Sequence, residues 1–200
     1  MEPLDTGCWN ARYSDAGTTL GSAAEVLNES WHLLPAHGCA VDFACRHGAN
    51  ALLPARRGLD TYAWDSAQAA IARLQEFTAG LALHPEVRDV VRQPAGPRRF
   101  DVIVRRFLDR SPASHPAAAL PPGGLLFYRT FTRARGDASG PGNPDFRLAD
   151  GELLRLFGAL QLRVYREGAG RSHARAAQSG DASGTTARLA CPPAVGGGLQ

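Results

Sequence analysis

Short apolar segments alternate with stretches of helical spacing along most of the chain, and this alternation limits the possible folds more than any other feature. Residue patterns predict seven strands, at 39–44, 61–64, 86–91, 100–104, 125–130, 161–166 and 186–191. They predict helices at 22–34, 50–57, 67–79 and 150–160. Such alternation is typical of parallel sheets covered by helices. We therefore expect an α/β fold with a Rossmann-like, mostly parallel seven-stranded sheet, helices on both faces and a C-terminal antiparallel hairpin.

The length and local composition predict one folded domain with flanking segments. Two hundred residues are enough for a single hydrophobic core and too few for two ordinary domains. We expect an N-terminal segment at 1–21, a domain at 22–192 and a tail at 193–200. The small, polar stretch 168–184 is predicted to be disordered.

The basic residues exclude several functional classes. All 22 of them are arginine, so the chain has no lysine to bind phosphates in a P-loop or to form a Schiff base. The net charge of +3 is mild and the arginines are scattered, which argues against nucleic acid as a partner. No apolar run reaches membrane-spanning length, and Glu2 and Asp5 lie where a signal peptide would be basic. We therefore expect a cytoplasmic protein with no membrane partner.

Two carboxylates lie at the predicted ends of the first two strands. Ligands of open α/β sheets bind at the carboxyl ends of strands, near the switch in strand order. Asp42 opens the loop 42–50 after the first strand, and Asp65 follows the second strand, 23 positions later. An acid at Asp65 suits the ribose diol of a nucleotide cofactor, and a turn of small residues lets the backbone approach that cofactor. Alternatively, Asp65 or Ser66 only caps the following helix.

Several short motifs, in order and spacing, resemble the tellurite-resistance and thiopurine type of class I S-adenosylmethionine-dependent methyltransferase. The family loop reads D-x-A-C-G-x-G-R-N, of which this chain matches Asp42, Ala44, Cys45, Gly48 and Asn50. The resemblance covers the chain from Trp9 to Cys191. Its other matches are Trp9 with Arg12-Tyr13, 63–66, 88–90, 100–104, Phe107-Leu108 with Arg110, 122–125, 130–131, 140–141, 143–144 and 151–153.

The resemblance implies a cofactor and a set of contacts. It implies S-adenosylmethionine (SAM), with Asp42, Ala44 and Gly48 at its methionine end, Asp65 on the ribose and Asp89 near the adenine. The remaining cofactor positions implied by the matched motifs are Cys45, Asn50 and Ser66. Trp9, Arg12 and Tyr13 would fold over the cofactor as a lid. Other roles remain open, because Trp9 and Tyr13 are also compatible with a hydrophobic staple, and Asp89 with a solvated strand end.

Three residues depart from the family pattern in the same stretch. Arg46 replaces the first glycine of the usual G-x-G, and Ala49 replaces the usual arginine. If the glycine position needs a positive φ, arginine strains the turn by ~1 kcal/mol or more, or its side chain blocks the cofactor. Pro54 lies within the following predicted helix, where proline costs roughly 3 kcal/mol. These changes make a chain with impaired cofactor binding and a binding or regulatory role the alternative to an active enzyme.

The expected activity is methyl transfer from SAM to a small-molecule acceptor. Because the sulfonium is already activated, alignment and exclusion of water suffice, and we name no catalytic residue. Substrate contacts are expected from Arg106, Thr130 and Asn143, which follow the fourth and fifth strands. A metal site is not expected, because the pairs His37/Cys39 and Cys45/His47 lie roughly 20 Å apart along a strand. A nicotinamide-dependent oxidoreductase is a second alternative, since an acid after the second strand also suits a dinucleotide.

Overall fold

A seven-stranded sheet forms the centre of the computed structural model, which describes residues 6–14, 20–106, 116–134, 141, 143–168 and 171–178. The strands are β1 (Cys39–Phe43), β2 (Asp60–Asp65), β3 (Leu83–Val87), β4 (Val102–Arg105), β5 (Leu125–Phe131), β6 (Gln161–Gly168) and β7 (Arg171–Ala177). The helices are α1 (Thr6–Ser14), α2 (Glu25–Glu29), α3 (Ala49–Arg56), α4 (Gln68–Gln75) and α5 (Glu152–Leu156). No helix within these described ranges is both long and apolar enough to cross a membrane.

The order of the strands is β3-β2-β1-β4-β5-β7-β6. Strands β1 to β5 pair in parallel, whereas β7 runs antiparallel to β5 and to β6. The predicted seven-stranded, mostly parallel sheet with a C-terminal antiparallel hairpin is therefore confirmed. Strand order reverses at β1, since β2 lies on one side of it and β4 on the other. The carboxyl ends of β1, β2 and β4 thus meet at the switch point where such sheets bind ligands.

Side chains of β1 alternate between two cores, one on each face of the sheet. Val41 and Phe43 join one core, which includes residues of α5, and Ala40 joins the other core, which includes residues of α2. The prediction of helices on both faces is confirmed. Asp42 lies on the same face as Ala40, because alternate strand residues share a face.

The predicted disorder over 168–184 is wrong for residues 171–177, which form β7. This strand lies between β5 and β6 and pairs its backbone with both. Ala174 and Ala176 are buried in the core, although alanine has little preference for strands. The hairpin is therefore formed by β6 and β7. The predicted strand 186–191 and the tail 193–200 lie outside the described residues.

Other predicted elements occur at shifted positions. Strand β3 is Leu83–Val87 instead of 86–91, because Val90 and Val91 belong to a turn in which the Asp89 side chain accepts hydrogen bonds from backbone N–H groups. Pro85 is tolerated in β3 because this is an edge strand. The predicted helices 67–79 and 150–160 are shorter, as α4 and α5.

The predicted helix 22–34 is divided into α2 and a 3₁₀ turn at Trp31–Leu33. The division falls at Ser30, whose φ of −112° leaves the helical region, and serine competes for backbone hydrogen bonds. By contrast, α3 continues through Pro54 as far as Arg56. Pro54 is buried there, so packing offsets the hydrogen bond that its missing N–H forfeits.

Candidate functional site

The loop after β1 turns sharply by using left-handed backbone conformations. Ala44, Arg46 and Gly48 have φ values of +55°, +56° and +79°. Only glycine adopts this region without steric cost, and an L-residue there costs roughly 1–2 kcal/mol. The positive φ that we considered for Arg46 is therefore present, and the loop carries backbone strain at two residues.

Gly48 also needs the absence of a side chain. A Cβ on this residue would lie 2.3 Å from Cδ1 of Leu74, which is a fully buried residue of α4. The loop is thereby held directly against α4. Gly48 marks the end of the loop as the residue before α3, and its carbonyl accepts a hydrogen bond from the Leu52 N–H at 3.0 Å.

Asp65 links the two loops that follow β1 and β2. Its Oδ2 accepts a hydrogen bond from the Arg46 N–H, and its Oδ1 accepts one from the Ala67 N–H, both at 2.9 Å. Ala67 is the N-cap of α4, so the expectation that Asp65 or Ser66 occupies that position is wrong. Burial raises the pKa of Asp65, and the two backbone hydrogen bonds oppose this increase. Each carboxylate oxygen can still accept a further hydrogen bond.

Asp42 is a fully buried carboxylate, and neither of its oxygens has a hydrogen-bond partner in the part of the chain that the structure describes. Burial raises its pKa to about 7. The positive charge of Arg106, the Asn50 amide and the Ala51 N–H lie close enough to oppose this increase, although no hydrogen bond of ordinary geometry reaches the carboxylate. Since buried polar groups are almost always satisfied, these oxygens call for a donor that the described residues do not supply.

Asn50 positions the chain that leads into α2. Its Oδ1 accepts a hydrogen bond of 2.7 Å from the buried Ala24 N–H. Cys45 has a comparable structural contact, because its N–H donates to the Trp64 carbonyl at 3.0 Å. The Cys45 thiol is free and buried, and burial raises its pKa well above the ordinary value.

Helix α1 packs over the loop after β1. Trp9 and Tyr13 stack with ring centroids 5.9 Å apart, and Tyr13 meets the His47 ring edge-on at 5.3 Å. The Arg46 guanidinium lies 5.7 Å from the centre of the Tyr13 ring. Burial is the main cause that lowers the pKa of His47, followed by the positive charges of Arg46 and Arg73. Arg12 belongs to α1, and its side chain is not among those that the structure describes.

Three arginines lie on the Asp42 face at the carboxyl edge of the sheet. Sequence analysis singled out Arg106 and missed Arg129 and Arg171. Arg129 lies between Phe127 and Phe131 in the alternating pattern of a strand. A charged residue at a position where apolar residues are expected was the signal that could have identified it. Arg171 gave no such signal, because β7 lacks an apolar pattern. His47 was also missed as a contact of Tyr13.

The other predicted site residues have separate surroundings. Thr130 is buried in β5 on the face opposite Arg129, so it is not brought together with Arg106. Asn143 is exposed and its Oδ1 accepts a hydrogen bond of 2.9 Å from the Asp145 N–H. Asp89 follows β3 and forms an ion pair of 3.5 Å with Arg92. Ser66 follows β2 and is half-buried. The ligand roles of these residues stay predictions.

A cavity of about 600 Å³ lies between α2 and α3, and neither Asp42 nor Asp65 is among the residues that line it. Its lining includes Leu52, Leu53 and the exposed Trp31, whose ring lies 5.1 Å from the Arg57 guanidinium. None of the described residues that line this cavity carries a carboxylate.

No protein-family model and no curated protein matches the sequence. The structure is similar to TehB from Haemophilus influenzae, with a TM-score of 0.68 and 19% identity over 85% of this chain and 67% of that chain. It is similar to a SAM-dependent methyltransferase from Aquifex aeolicus, with a TM-score of 0.62 and 14% identity over 88% of this chain and 99% of that chain. The chain has the fold of class I SAM-dependent methyltransferases.

A third structure with the methyltransferase fold is a 16S rRNA methyltransferase from T. thermophilus in complex with AdoMet and guanosine. Its TM-score is 0.55 and its identity 23%, over 79% of this chain and 44% of that chain. The fold that the sequence resemblance implied is therefore confirmed. Because proteins of one fold serve different functions, the function has to be argued from the site.

Proposed function

We propose that the chain binds SAM at the carboxyl ends of β1 and β2 and transfers its methyl group to a small-molecule acceptor. The observation that carries the proposal is the buried Asp42 carboxylate beside the loop after β1, which has no hydrogen-bond partner among the described residues. The similarity of the fold to SAM-dependent methyltransferases supports it and favours SAM over a nicotinamide cofactor.

The residues at this edge fit the parts of SAM. The ammonium of its methionine end is a suitable donor for the oxygens of Asp42, and the free acceptor positions of Asp65 suit the ribose hydroxyls. Trp9 and Tyr13 supply a stacked aromatic surface above the loop, and Asp89 lies after the neighbouring strand β3, on the proposed adenine side. Ala44, Cys45, Gly48, Asn50 and Ser66 complete the proposed contacts.

When bound, SAM supplies a methyl group that is already activated by a positively charged sulfur. The chain then has to hold the acceptor in line and exclude water, and it needs no acid or base when the acceptor is an anion such as a thiolate. Helix α1 is positioned to exclude water, because Tyr13 contacts His47 and Arg46. A small acceptor is favoured over RNA because the net charge is only +3 and the arginines are scattered along the sequence.

Arg46 is compatible with this site as the structure places it. Its guanidinium lies over the Tyr13 ring, and its backbone N–H is held by Asp65. The alternative is a chain with the same fold, impaired cofactor binding and a binding or regulatory role. The observation that favours this alternative is the left-handed backbone of Ala44 and Arg46, which glycine would adopt at lower cost.

Titration calorimetry with SAM and S-adenosylhomocysteine tests the proposal. We expect the native protein to bind both, and Asp65→Asn to weaken binding by about tenfold or more, because it removes the charge from the acceptor of the ribose hydrogen bonds. The matched control is Asp60→Asn, at the opposite end of β2, which leaves the affinity unchanged.

The same titration distinguishes the alternative. If the native protein shows no binding at millimolar cofactor, the proposed function is wrong. If Arg46→Gly then binds and Ala44→Gly does not, the Arg46 side chain is the defect, since both variants relieve a similar positive φ. Equal tight binding by native protein and Arg46→Gly supports the proposed function.

A further inference from the structure

The sheet register places Arg106 beside Arg129. Arg106 directly follows Arg105, the last residue of β4, whose partner in β5 is Tyr128. The residues that come next, Arg106 after β4 and Arg129 in β5, therefore lie side by side on one face of the sheet, at the carboxyl ends of these strands. Asp42 lies on that face as well, because it is the register partner of Val104, two residues before Arg106.

Strand β7 adds a third guanidinium to the same face. Arg129 pairs with His173 across the antiparallel register, and Arg171 lies two residues away from His173. Diagonal neighbours of this kind are within reach of long side chains. The Arg171 guanidinium lies 5.8 Å from the centre of the Phe131 ring, which fixes it near the end of β5.

The side chains of Arg106 and Arg129 are half-buried, and neither guanidinium makes a hydrogen bond or ion pair with another residue of the described part of the chain. Burial lowers the pKa of Arg106, and Arg46, Arg129 and Arg171 lower it further, against the single opposing acid Asp42. Burial also lowers the pKa of Arg129, and the positive charge of Arg171 lowers it further, whereas the negative charge of Glu25 raises it. A half-buried guanidinium without an acceptor is costly, and carboxylate and phosphate oxygens are its preferred partners.

We propose that Arg106, Arg129 and Arg171 bind an oxyanion group of the methyl acceptor, so that the acceptor is a small organic acid. The assignment of the anion to the methyl acceptor rests on the proposed function, whereas the anion site itself does not. An anion here also offsets the repulsion between the positive sulfur of SAM and these guanidinium groups. The acceptor then lies over the ends of β4 and β5, next to the cofactor at β1.

A carboxylate at this site has a second possible source, since the methionine end of SAM also carries one. The two sources are distinguished by whether the added anion competes with S-adenosylhomocysteine. An acceptor binds together with S-adenosylhomocysteine, whereas an anion that occupies the place of the methionine carboxylate competes with it.

Titration of benzoate, phenyl phosphate and benzyl alcohol tests the proposal, at constant ionic strength and with and without saturating S-adenosylhomocysteine. We expect at least one of the two anions to bind in both conditions, and the neutral alcohol to bind about tenfold more weakly or worse. Equal binding of alcohol and anions overturns the anion site. Competition between the anions and S-adenosylhomocysteine overturns its assignment to the acceptor.

Matched arginine variants locate the site. Arg129→Gln should weaken anion binding by about tenfold, because it removes one charge-assisted contact. Arg163→Gln is the control, because Arg163 is exposed near the opposite end of the sheet, close to Gln161, and should leave binding unchanged. An unchanged affinity in Arg129→Gln overturns the proposal.

If Arg129→Gln does not fold, Arg129→Lys tests the same contact, since it retains the charge and loses the planar fork. Its affinity for the anion should lie between that of the native protein for the anion and that of the native protein for benzyl alcohol. A Lys variant that binds the anion as native protein does overturns the guanidinium contact. Separate titration with S-adenosylhomocysteine alone distinguishes failure of the anion site from failure of the proposed function. Anion binding without any cofactor binding refutes the proposed function and supports the anion site.

Discussion

Replacing Gly48 by alanine tests how tightly the loop after β1 is held against α4. Two costs apply. The φ of +79° is strained for alanine by about 1 kcal/mol. The new Cβ would also lie 2.3 Å and 2.5 Å from the two Cδ atoms of the buried Leu74, and such overpacking costs about 1–3 kcal/mol. Together they predict that Gly48→Ala lowers the free energy of unfolding by about 2–4 kcal/mol.

Gly80→Ala is the matched control for backbone strain. Gly80 has a φ of +74°, and a Cβ there would meet nothing within 4 Å. We expect this variant to lose only about 1 kcal/mol. Urea unfolding followed by circular dichroism gives both free energies. The reasoning is refuted if the two variants lose the same stability.

A double substitution separates steric overlap from other effects. Leu74→Ala alone creates a cavity in the core and costs about 2–5 kcal/mol. In the Gly48→Ala background it also removes the overlap, so its cost there should be smaller by about 1 kcal/mol or more. Strictly additive losses would show that the new methyl group and Leu74 do not meet.

Three further predictions concern stability around the site. Because the pKa of Asp42 is raised from 3.8 to about 7, the folded state binds its proton more tightly, so stability falls as pH rises from the lower to the higher of these values and levels off above it. Asp42→Asn should therefore match native stability near pH ~4 and exceed it by about 4 kcal/mol at pH ~8 in urea unfolding, and a pH-independent difference would contradict this. Arg46→Gly should raise the unfolding free energy by about 1 kcal/mol by relieving the positive φ, which thermal unfolding can check. Asn50→Ala should cost about 1–3 kcal/mol, because it leaves the buried Ala24 N–H without an acceptor, whereas the exposed control Asn28→Ala should cost less than about 0.5 kcal/mol.

The central parallel strands were predictable because they are short, mainly apolar and buried. Strand β1 is buried along its whole length, and its apolar sequence and following loop identify it without reference to distant contacts. Asp42, near the end of β1, and Asp65, the last residue of β2, were predictable for the same reason, since a carboxylate near the carboxyl end of a buried strand lies at the ligand-binding edge.

Elements that depend on distant partners were not predictable from local pattern. Strand β7 contains arginine, serine, histidine and alanine, so its strand conformation comes from pairing with β5 and β6. Strand β3 was misplaced because Val90 and Val91 have a high strand preference but lie in a turn whose N–H groups are bonded by Asp89. The proposed anion site has the same limitation, because Arg106 and Arg171 are far apart in sequence and are brought together only by the register.

A crystal structure of the protein with S-adenosylhomocysteine tests the central claim most directly. The account predicts the ribose hydroxyls on the Asp65 carboxylate and the ammonium of the homocysteine end on Asp42. The Tyr13 ring should cover the ligand from the side of α1. A ligand bound instead in the groove between α2 and α3, beside Trp31, would contradict the account.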